Sequence, residues 1–442
     1  MGQTNDQNQD KSMPWWQLSL MGVACTIGTG FFLGTGVGIS IGGPAILPAL
    51  FLAACGTFIV FDVLARMTSA DPKEGSFCAY AKEAYGRWAG FGSGWVYWSS
   101  ELLIMGSQMA ALSLFTRLWF PDVPMWILAS AYAVLGLGVI LLGTKGFEKA
   151  EHLFAVIKLA AIVAFIAIAL CALIGWFGDS KHTPQWPLPL LPTGLKGGWS
   201  TLLYAFYCFG GIEIMGLLAV RLKHPEDAPK AGRLMISVLV LLYALTLGLS
   251  LSLVPWDAIP SNQSPLVASL SGYGIAFVPH LFNAVFIIAG FSTMVASLFA
   301  VTTILVTLAK NCDAPKIFAK VSKGKRSTPY FAIGLTTLAL IGSIVLALLM
   351  PDEVYEYMTT AAGLMLLYNW MFILLTSGKL LKLSVWGQWK RGIAAVLILL
   401  AVSGTLFHET SRPGFWISLG FVALIAAITF GMARLWKRQV SS

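Results

Sequence analysis

The stretch Thr26-Ile-Gly-Thr-Gly-Phe-Phe-Leu-Gly-Thr-Gly36 places four glycines among mainly apolar residues. It lies inside an apolar segment, about 17–40, that is long enough to cross a bilayer as a helix. Glycine disfavours continuous helix and lets the backbone leave α geometry at little cost. Non-helical backbone at membrane depth is tolerated only where it faces protein or a water-filled cavity. The stretch therefore predicts a spanning helix that is interrupted beside a cavity.

Apolar composition extends over the whole chain. Of its 442 residues, 57% are hydrophobic and only 11% are charged, whereas a soluble domain carries about 25% charged residues. The apolar stretches are long and do not alternate with polar residues, which favours helices over a β-barrel. The composition predicts an all-α integral membrane protein in contact with the lipid bilayer.

The apolar stretches predict twelve transmembrane helices. The segment 275–309 is too long for one straight crossing, so we expect it to be strongly tilted or to extend into the cytoplasm. The predicted spans are 17–40, 45–67, 89–117, 124–143, 152–176, 198–220, 232–254, 275–309, 330–349, 355–377, 391–407 and 414–434.

The basic residues predict the orientation. If the N-terminus is inside, seven cytoplasmic segments hold 24 of the 29 lysines and arginines and the outer loops hold 4, while Lys158 lies within a span. Such an excess marks the cytoplasmic side, so both termini are predicted to be cytoplasmic and the protein to lie in the cytoplasmic membrane. Because the positive charge is spread over seven segments, it does not indicate a nucleic-acid site, which would need a clustered basic face.

A second interruption is predicted in the sixth span, at Cys208-Phe-Gly-Gly211. Glycine-interrupted spans at matching places in two halves of a chain are typical of inverted repeats with a binding site at the bilayer midplane. Gly28 and Gly210 are 182 residues apart, about the length of five spans with their loops. Tyr207 and Phe209 flank this second interruption and are therefore candidate walls of a pocket.

Two interrupted helices would suit an amino acid. The N-terminus of a half-helix offers N–H groups and partial positive charge to a carboxylate, and unwound carbonyls offer acceptors to an ammonium group. The alternative is that the glycines only allow close helix packing. That alternative stays open above all for Gly34, Gly36 and Gly38.

Three ionisable residues fall within predicted spans, where they are costly. Lys158 could couple transport to protons or act as a fixed cation; the alternative is a lysine that snorkels to the interface. Glu213 could hold a proton, gate the pathway or belong to a structural network. Glu101 could contact substrate, hold a proton or form a structural pair. Asp62 and Arg66, four residues apart, predict an ion pair on a helix surface.

No pattern in the chain predicts enzymatic chemistry or a cofactor other than the proton. The histidines show no ligand spacing, so no metal is predicted, and no P-loop is present to use ATP. The cysteines have no paired spacing and are predicted to be isolated thiols. They are Cys25, Cys55, Cys78, Cys171, Cys208 and Cys312.

Several motifs resemble those of the amino acid–polyamine–organocation (APC) carriers, and in particular their amino acid permease branch. The similarity covers roughly residues 15–380. It rests on Thr26–Gly36 with Gly43-Pro44, on Pro72-Lys-Glu-Gly-Ser-Phe-Cys-Ala-Tyr80 with Gly90-Phe-Gly-Ser-Gly-Trp95, on Phe206-Tyr-Cys-Phe-Gly-Gly-Ile-Glu213 with His224-Pro225 and Ala228-Pro-Lys-Ala231, and on Ala314-Pro-Lys-Ile-Phe-Ala-Lys320.

The resemblance implies a LeuT-like 5+5 inverted repeat with broken helices 1 and 6 and two extra C-terminal helices. On that basis the transporter core is 15–380, with repeats of about 15–180 and 195–380, and the additional helices lie within 390–436. The remaining segments, 1–14 and 437–442, are predicted to be cytoplasmic tails, the first of them disordered.

The resemblance also implies site residues. It places the substrate carboxylate at the backbone of Gly28, Thr29 and Gly30, and the amine at carbonyls near Thr26, Tyr207, Cys208 and Gly210. Lys158 falls on a lysine that proton-coupled relatives have in place of a sodium site, and Glu101 and Glu213 fall on acidic family positions. Two departures concern intracellular gating: Arg221 stands where many relatives have a glutamate, and Ile304 where the branch often has an arginine.

The resulting hypothesis is import of a neutral, aliphatic amino acid by proton symport with alternating access. A cationic amino acid paired with Glu101 is the alternative substrate, and a passive exchanger is an alternative mechanism. A membrane sensor of amino acids on the same fold also remains open, because fold alone does not decide function. Retention of Lys158 favours a carrier over a sensor, since a sensor needs no coupling residue.

Overall fold

The computed structural model describes residues 13–142, 144–177, 188–274, 277–322, 328–349 and 354–440, and nearly all of these form helices. The α-helices are α1 Trp15–Thr26, α2 Thr29–Phe32, α3 Gly34–Gly42, α4 Ile46–Ala70, α5 Phe77–Tyr85, α6 Arg87–Arg117, α7 Met125–Leu141, α8 Thr144–Leu173, α9 Gly194–Ser200, α10 Leu202–Tyr207, α11 Ile212–Leu218, α12 Ala228–Leu253, α13 Pro265–Leu270, α14 Phe277–Lys310, α15 Tyr330–Leu349, α16 Val354–Leu380, α17 Val385–Gly404 and α18 Arg412–Val440.

The helices follow the predicted spans closely where the apolar pattern is continuous. The predicted span 275–309 corresponds to one helix of 34 residues, α14, which is described from Phe277 to Lys310, and 330–349 is α15. Eight helical stretches in the described ranges are long and apolar enough to cross a membrane, and the apolar helices at 125–141 and 330–345 are shorter. The structure thus supports a multi-pass helical membrane protein, while the count of twelve crossings stays a prediction.

Helix α6 is too polar to stand among those eight stretches, although the sequence predicted a span there. Its polar side chains, Ser99, Ser100, Glu101 and Gln108 among them, are buried. The helix packs against α14 and α16 in the middle of the bundle. Because protein rather than lipid surrounds it, α6 needs no apolar surface of its own.

The outer helices have the opposite character. Large apolar side chains of α8, α17 and α18 lie on the surface, with Val156, Val163, Leu399 and Phe430 all more than half exposed. An apolar surface of this extent would be costly in water but suits a lipid environment. The exposed belt and the polar α6 together place the interior of the bundle around α1, α6, α10, α11 and α14.

The predicted tails are only partly described. Residues 1–12, 441 and 442 lie outside the described ranges, but Met13 is ordered by backbone bonds to Arg221 O (3.2 Å) and from Lys223 N (3.0 Å). Helix α18 continues to Val440, four residues into the segment predicted as a tail. The predicted ion pair is confirmed: Arg66 Nε lies 2.8 Å from Asp62 Oδ2.

Candidate functional site

The first interruption lies between α1 and α2. Helix α1 ends at Thr26, and Gly28 is extended, with φ −155° and ψ −154°. The Thr26 hydroxyl bonds back to Gly22 O at 2.8 Å. A methyl group at Gly28 would overlap the side chain of Thr293. The packing role of this glycine is therefore real, and it allows the unwound backbone to approach α14 closely.

The second interruption lies between α10 and α11, where Gly211 has φ 108°. This conformation is accessible to glycine and strained for other residues. A Cβ atom at Gly211 would lie 3.0 Å from Cys25 O, on α1. The Cys208 Sγ also approaches Gly30 O at 3.5 Å. The two interruptions are therefore packed directly against each other.

A small cavity lies between the two interruptions, with a volume of about 30 Å³. That is room for a water molecule and not for an amino acid, so the site is closed in this conformation. Seven of the nine predicted substrate-site residues are grouped here. The lining residues are Cys25, Thr26, Gly28, Thr29, Gly30, Glu101, Ile104, Gln108, Tyr207, Gly210, Gly211, Ile214, Thr293 and Ser297.

Three buried polar atoms face this cavity without a protein partner in the described part of the chain: Thr29 Oγ1, Glu101 Oε2 and Gln108 Oε1. Buried polar groups are nearly always hydrogen-bonded. A cluster of three exceptions on one cavity indicates a place where a polar ligand completes the bonding. Two of the three, Glu101 Oε2 and Gln108 Oε1, are acceptor oxygens that suit an ammonium group.

Two predicted substrate-site residues do not line the cavity. Phe209 instead packs beside Tyr243, with ring centroids 5.6 Å apart. Cys208 is buried, and its carbonyl accepts a hydrogen bond from the Tyr243 hydroxyl at 3.1 Å. Because the chain turns between Tyr207 and Gly210, neither residue lines the cavity. The Cys208 thiol lies against Gly30 O, but the predicted role of both residues as cavity residues is not supported by the geometry.

Glu213 lies beside the cavity rather than on it. One carboxylate oxygen accepts from Gly211 N at 3.1 Å and the other from Trp370 Nε1 at 3.2 Å. The Glu213 carboxyl also interacts with that of Glu101. Glu213 thus ties the start of α11 to α16 and places a second acid next to the cavity.

Lys158 is fully buried, so the snorkelling alternative is wrong. Its ammonium donates to Ala24 O at 2.6 Å and to Ser292 Oγ at 2.8 Å. Ala24 lies two residues before the end of α1, and Ser292 lies on α14 next to Thr293. Lys158 therefore joins three helices directly behind the first interruption.

Sequence reasoning missed several residues of this region, notably Gln108 and Glu151. Gln108 is seven residues after Glu101 on α6, and Glu151 is seven residues before Lys158 on α8. A separation of seven residues is two helical turns and places both side chains on one face. That spacing was the signal that could have found them.

Ile304, one of the two departures from the family pattern, is buried among apolar residues.

The structure shows neither disulfides nor a metal site in the ranges that it describes. All six cysteines are free, as predicted. No group of three or more His, Cys, Asp or Glu residues within the described ranges could hold a metal ion.

The fold and the site together define a helical membrane protein with a small polar cavity between two interrupted helices. Solved structures include one with this architecture, MhsT in complex with L-phenylalanine. Its TM-score is 0.60 at 15% identity, over 89% of this chain and 100% of that chain, which shows a shared fold. The chain belongs to the amino acid permease family, whose sequence profile matches residues 17–430.

Curated relatives span nearly the full chain. The uncharacterized transporter YcgH of Bacillus subtilis is 51% identical over 97% of this chain and 96% of its own length. The aromatic amino acid transport protein AroP of Corynebacterium glutamicum is 30% identical over 93% of each chain. AroP of Escherichia coli K12 is 28% identical over 98% of this chain and 93% of its own.

Proposed function

We propose that this protein is a secondary active carrier that imports a neutral amino acid together with a proton. The observation that supports it most is the set of unpaired polar atoms, Thr29 Oγ1, Glu101 Oε2 and Gln108 Oε1, on a cavity at two helix interruptions. Family membership supports amino acid transport. In this proposal the chain crosses the cytoplasmic membrane twelve times as a 5+5 inverted repeat with two further helices, and both termini are cytoplasmic.

Each end of the substrate has its own partners in this proposal. The carboxylate binds the backbone N–H groups of Gly28, Thr29 and Gly30 and the Thr29 hydroxyl. The ammonium binds carbonyls near Thr26, Tyr207 and Gly210 and the free oxygen of Gln108. The carbonyl of Cys208 is the weakest candidate, because Tyr243 already donates to it.

The side chain of the substrate would lie against Ile104, Ile214 and Tyr207, which favours a neutral amino acid. The relatives named as aromatic amino acid transport proteins make aromatic substrates worth testing beside the aliphatic ones. A cationic substrate would pair with the free Glu101 oxygen instead. Glu101→Gln tests this. If a cationic amino acid binds here, the substitution should abolish its competition with uptake of the labelled substrate and should spare competition by a neutral amino acid.

The cavity must enlarge to admit an amino acid, since about 30 Å³ is too small. Alternating access would move the helices on either side of the interruptions against α6 and α14. Lys158, bonded to Ala24 O, would connect this motion to proton binding. When Lys158 loses its proton it has one N–H donor fewer, and its hydrogen bond to Ala24 O near the end of α1 weakens.

The test is uptake of each of the twenty radiolabelled amino acids by proteoliposomes, with and without an inward proton gradient. We expect accumulation of a neutral amino acid only with the gradient. Uptake that runs equally well without it would indicate a passive exchanger, and binding without any uptake would indicate a sensor. Absence of gradient-stimulated uptake for every amino acid would contradict the symport proposal.

The Lys158→Ala variant tests coupling separately. We expect it to lose gradient-driven accumulation and to keep exchange of labelled for unlabelled substrate across the membrane. Lys196→Ala, at an exposed position, is the matched control and should behave like the unmodified protein. Normal accumulation by Lys158→Ala would remove Lys158 from the coupling step.

A further inference from the structure

Glu151 is a buried acid to which the proposed transport cycle assigns no role. It lies on α8, two turns before Lys158, and neither side chain is exposed. The Ser292 hydroxyl on α14 lies 3.0 Å from Glu151 Oε1 and 2.9 Å from Oε2. The same hydroxyl oxygen accepts from Lys158 Nζ at 2.8 Å. Ser292 therefore bridges the buried cation and the buried acid.

The directions of the hydrogen bonds at Ser292 follow from the protons that each group can donate. A hydroxyl has one proton to donate and lone pairs with which to accept. Since Lys158 donates to Ser292, the serine proton is free to point at Glu151. The result is a continuous chain from Lys158 N–H through Ser292 O–H to a Glu151 oxygen, within the low-dielectric interior where such chains are strengthened.

The buried Glu151 carboxylate requires a compensating charge. An unpaired carboxylate in the interior is strongly disfavoured, and Lys158 supplies the opposite charge through Ser292. Cys25 on α1 is a titratable side chain that interacts electrostatically with both groups from a neighbouring helix. The charged residues of the other helices packed on α8 lie near helix ends: Lys230 and Arg233 on α12 and Lys310 on α14.

Glu151 lies on the side of Lys158 away from the cavity. Its chain neighbour His152 contacts Gln17 near the start of α1, with Nε2 to Nε2 at 2.8 Å, and His152 is partly exposed. The basic-residue count predicts this end of α8 to be cytoplasmic. The order Lys158, Ser292, Glu151 therefore runs from the substrate cavity toward the inner face.

We propose that Glu151 is a second proton site, through which the coupling proton leaves Lys158 toward the cytoplasm. In this step a Lys158 N–H bond breaks and an O–H bond forms at Ser292, while the original Ser292 O–H bond breaks and an O–H bond forms at Glu151. A charged pair becomes a neutral amine and a neutral acid, with no change in total charge. The proposal rests on the proposed symport.

The experiment compares two transport modes of Glu151→Gln in proteoliposomes. Net uptake driven by a proton gradient requires proton release on every cycle, whereas substrate exchange does not. We expect gradient-driven uptake to fall roughly tenfold or more, in line with loss of a proton-transfer group, with exchange retained. Ser292→Ala should show the same division, and Glu151→Asp, which keeps an acid, should restore part of the uptake.

A pH profile separates proton release from a structural role. Without the Glu151 carboxylate, protonated Lys158 loses its counter-charge, so the alkaline limb of the residual gradient-driven uptake against pH should move to lower pH. Glu409→Gln, which removes an exposed acid, should leave both transport modes and the profile unchanged.

Two results would overturn the proposal. The first is wild-type accumulation by Glu151→Gln, and the second is equal loss of uptake and exchange in both Glu151→Gln and Ser292→Ala without a change of pH profile. Failure of symport itself would be distinct, because the unmodified protein would then ignore the gradient. If Glu151→Gln does not fold, Ser292→Ala and Glu151→Asp carry the same comparison.

Discussion

At the scale of single residues, glycine serves packing and unwinding at once. Gly28 and Gly211 both stand at interruptions, and both touch a neighbouring helix too closely for a side chain. The two interpretations weighed from the sequence, a broken helix and a close helix contact, therefore describe the same residues. The backbone leaves the helix at the points where the helices meet.

Gly211→Ala should be the most damaging small substitution at the site. Its φ of 108° is unfavourable for alanine, which costs roughly 1–2 kcal/mol, and the new methyl group would press on Cys25 O at 3.0 Å. We expect loss of uptake and a lower unfolding temperature in detergent. Gly248→Ala, where the added methyl group meets open space, is the control. Wild-type uptake by Gly211→Ala would show that transport does not depend on the backbone geometry of the second interruption.

At the scale of helices, the turn after α14 is fastened by a buried acid. Arg87 Nε, at the start of α6, lies 2.7 Å from Asp313 Oδ1, and Arg87 also donates to Cys312 O at 2.7 Å. The same guanidinium lies 4.4 Å from the ring of Trp436 on α18. This cluster connects α18 to α6 and α14, and α6 and α14 form the static frame of the proposed cycle.

Asp313→Asn should therefore weaken the frame rather than the site. Asp313 is buried but Arg87 is about a third exposed, so the loss should be roughly 1–3 kcal/mol, below that of a fully buried pair. We expect a lower unfolding temperature with substrate preference unchanged. Asp122→Asn, at an exposed turn, is the matched control. Unchanged stability of Asp313→Asn would mean that the cluster is dispensable.

At the scale of the whole molecule, the charge asymmetry makes a prediction about sidedness. The turn that contains Cys312 is predicted to be cytoplasmic, and Cys312 is exposed. A thiol reagent that does not cross membranes should label it in inside-out vesicles and not in intact cells.

The labelling needs a background without other accessible thiols, which Cys55→Ser and Cys171→Ser provide, since the remaining cysteines are buried. Asn262→Cys, exposed in the loop between α12 and α13, should show the opposite pattern. Labelling of Cys312 in intact cells would reverse the proposed orientation.

Prediction from the sequence succeeded where one local property decides the structure. Apolar runs predicted the extent of α14 and α15, because lipid requires a continuous apolar helix. Glycines marked both interruptions, since the freedom to leave the helix is a property of the residue itself. The ion pair of Asp62 and Arg66 followed from helical spacing alone.

Only the tertiary structure decided which side chains face the cavity and which pairs of groups meet. Phe209 flanks the second interruption in sequence yet points away, because the direction of a side chain in a turn depends on the packing around it. Glu151 meets Lys158 only through Ser292, which lies 134 residues after Lys158 on another helix. The amino acid sequence by itself determined a membrane protein with two unwound helices; three-dimensional packing alone brought distant residues together into a cavity and into the hydrogen-bonded chain of Lys158, Ser292 and Glu151.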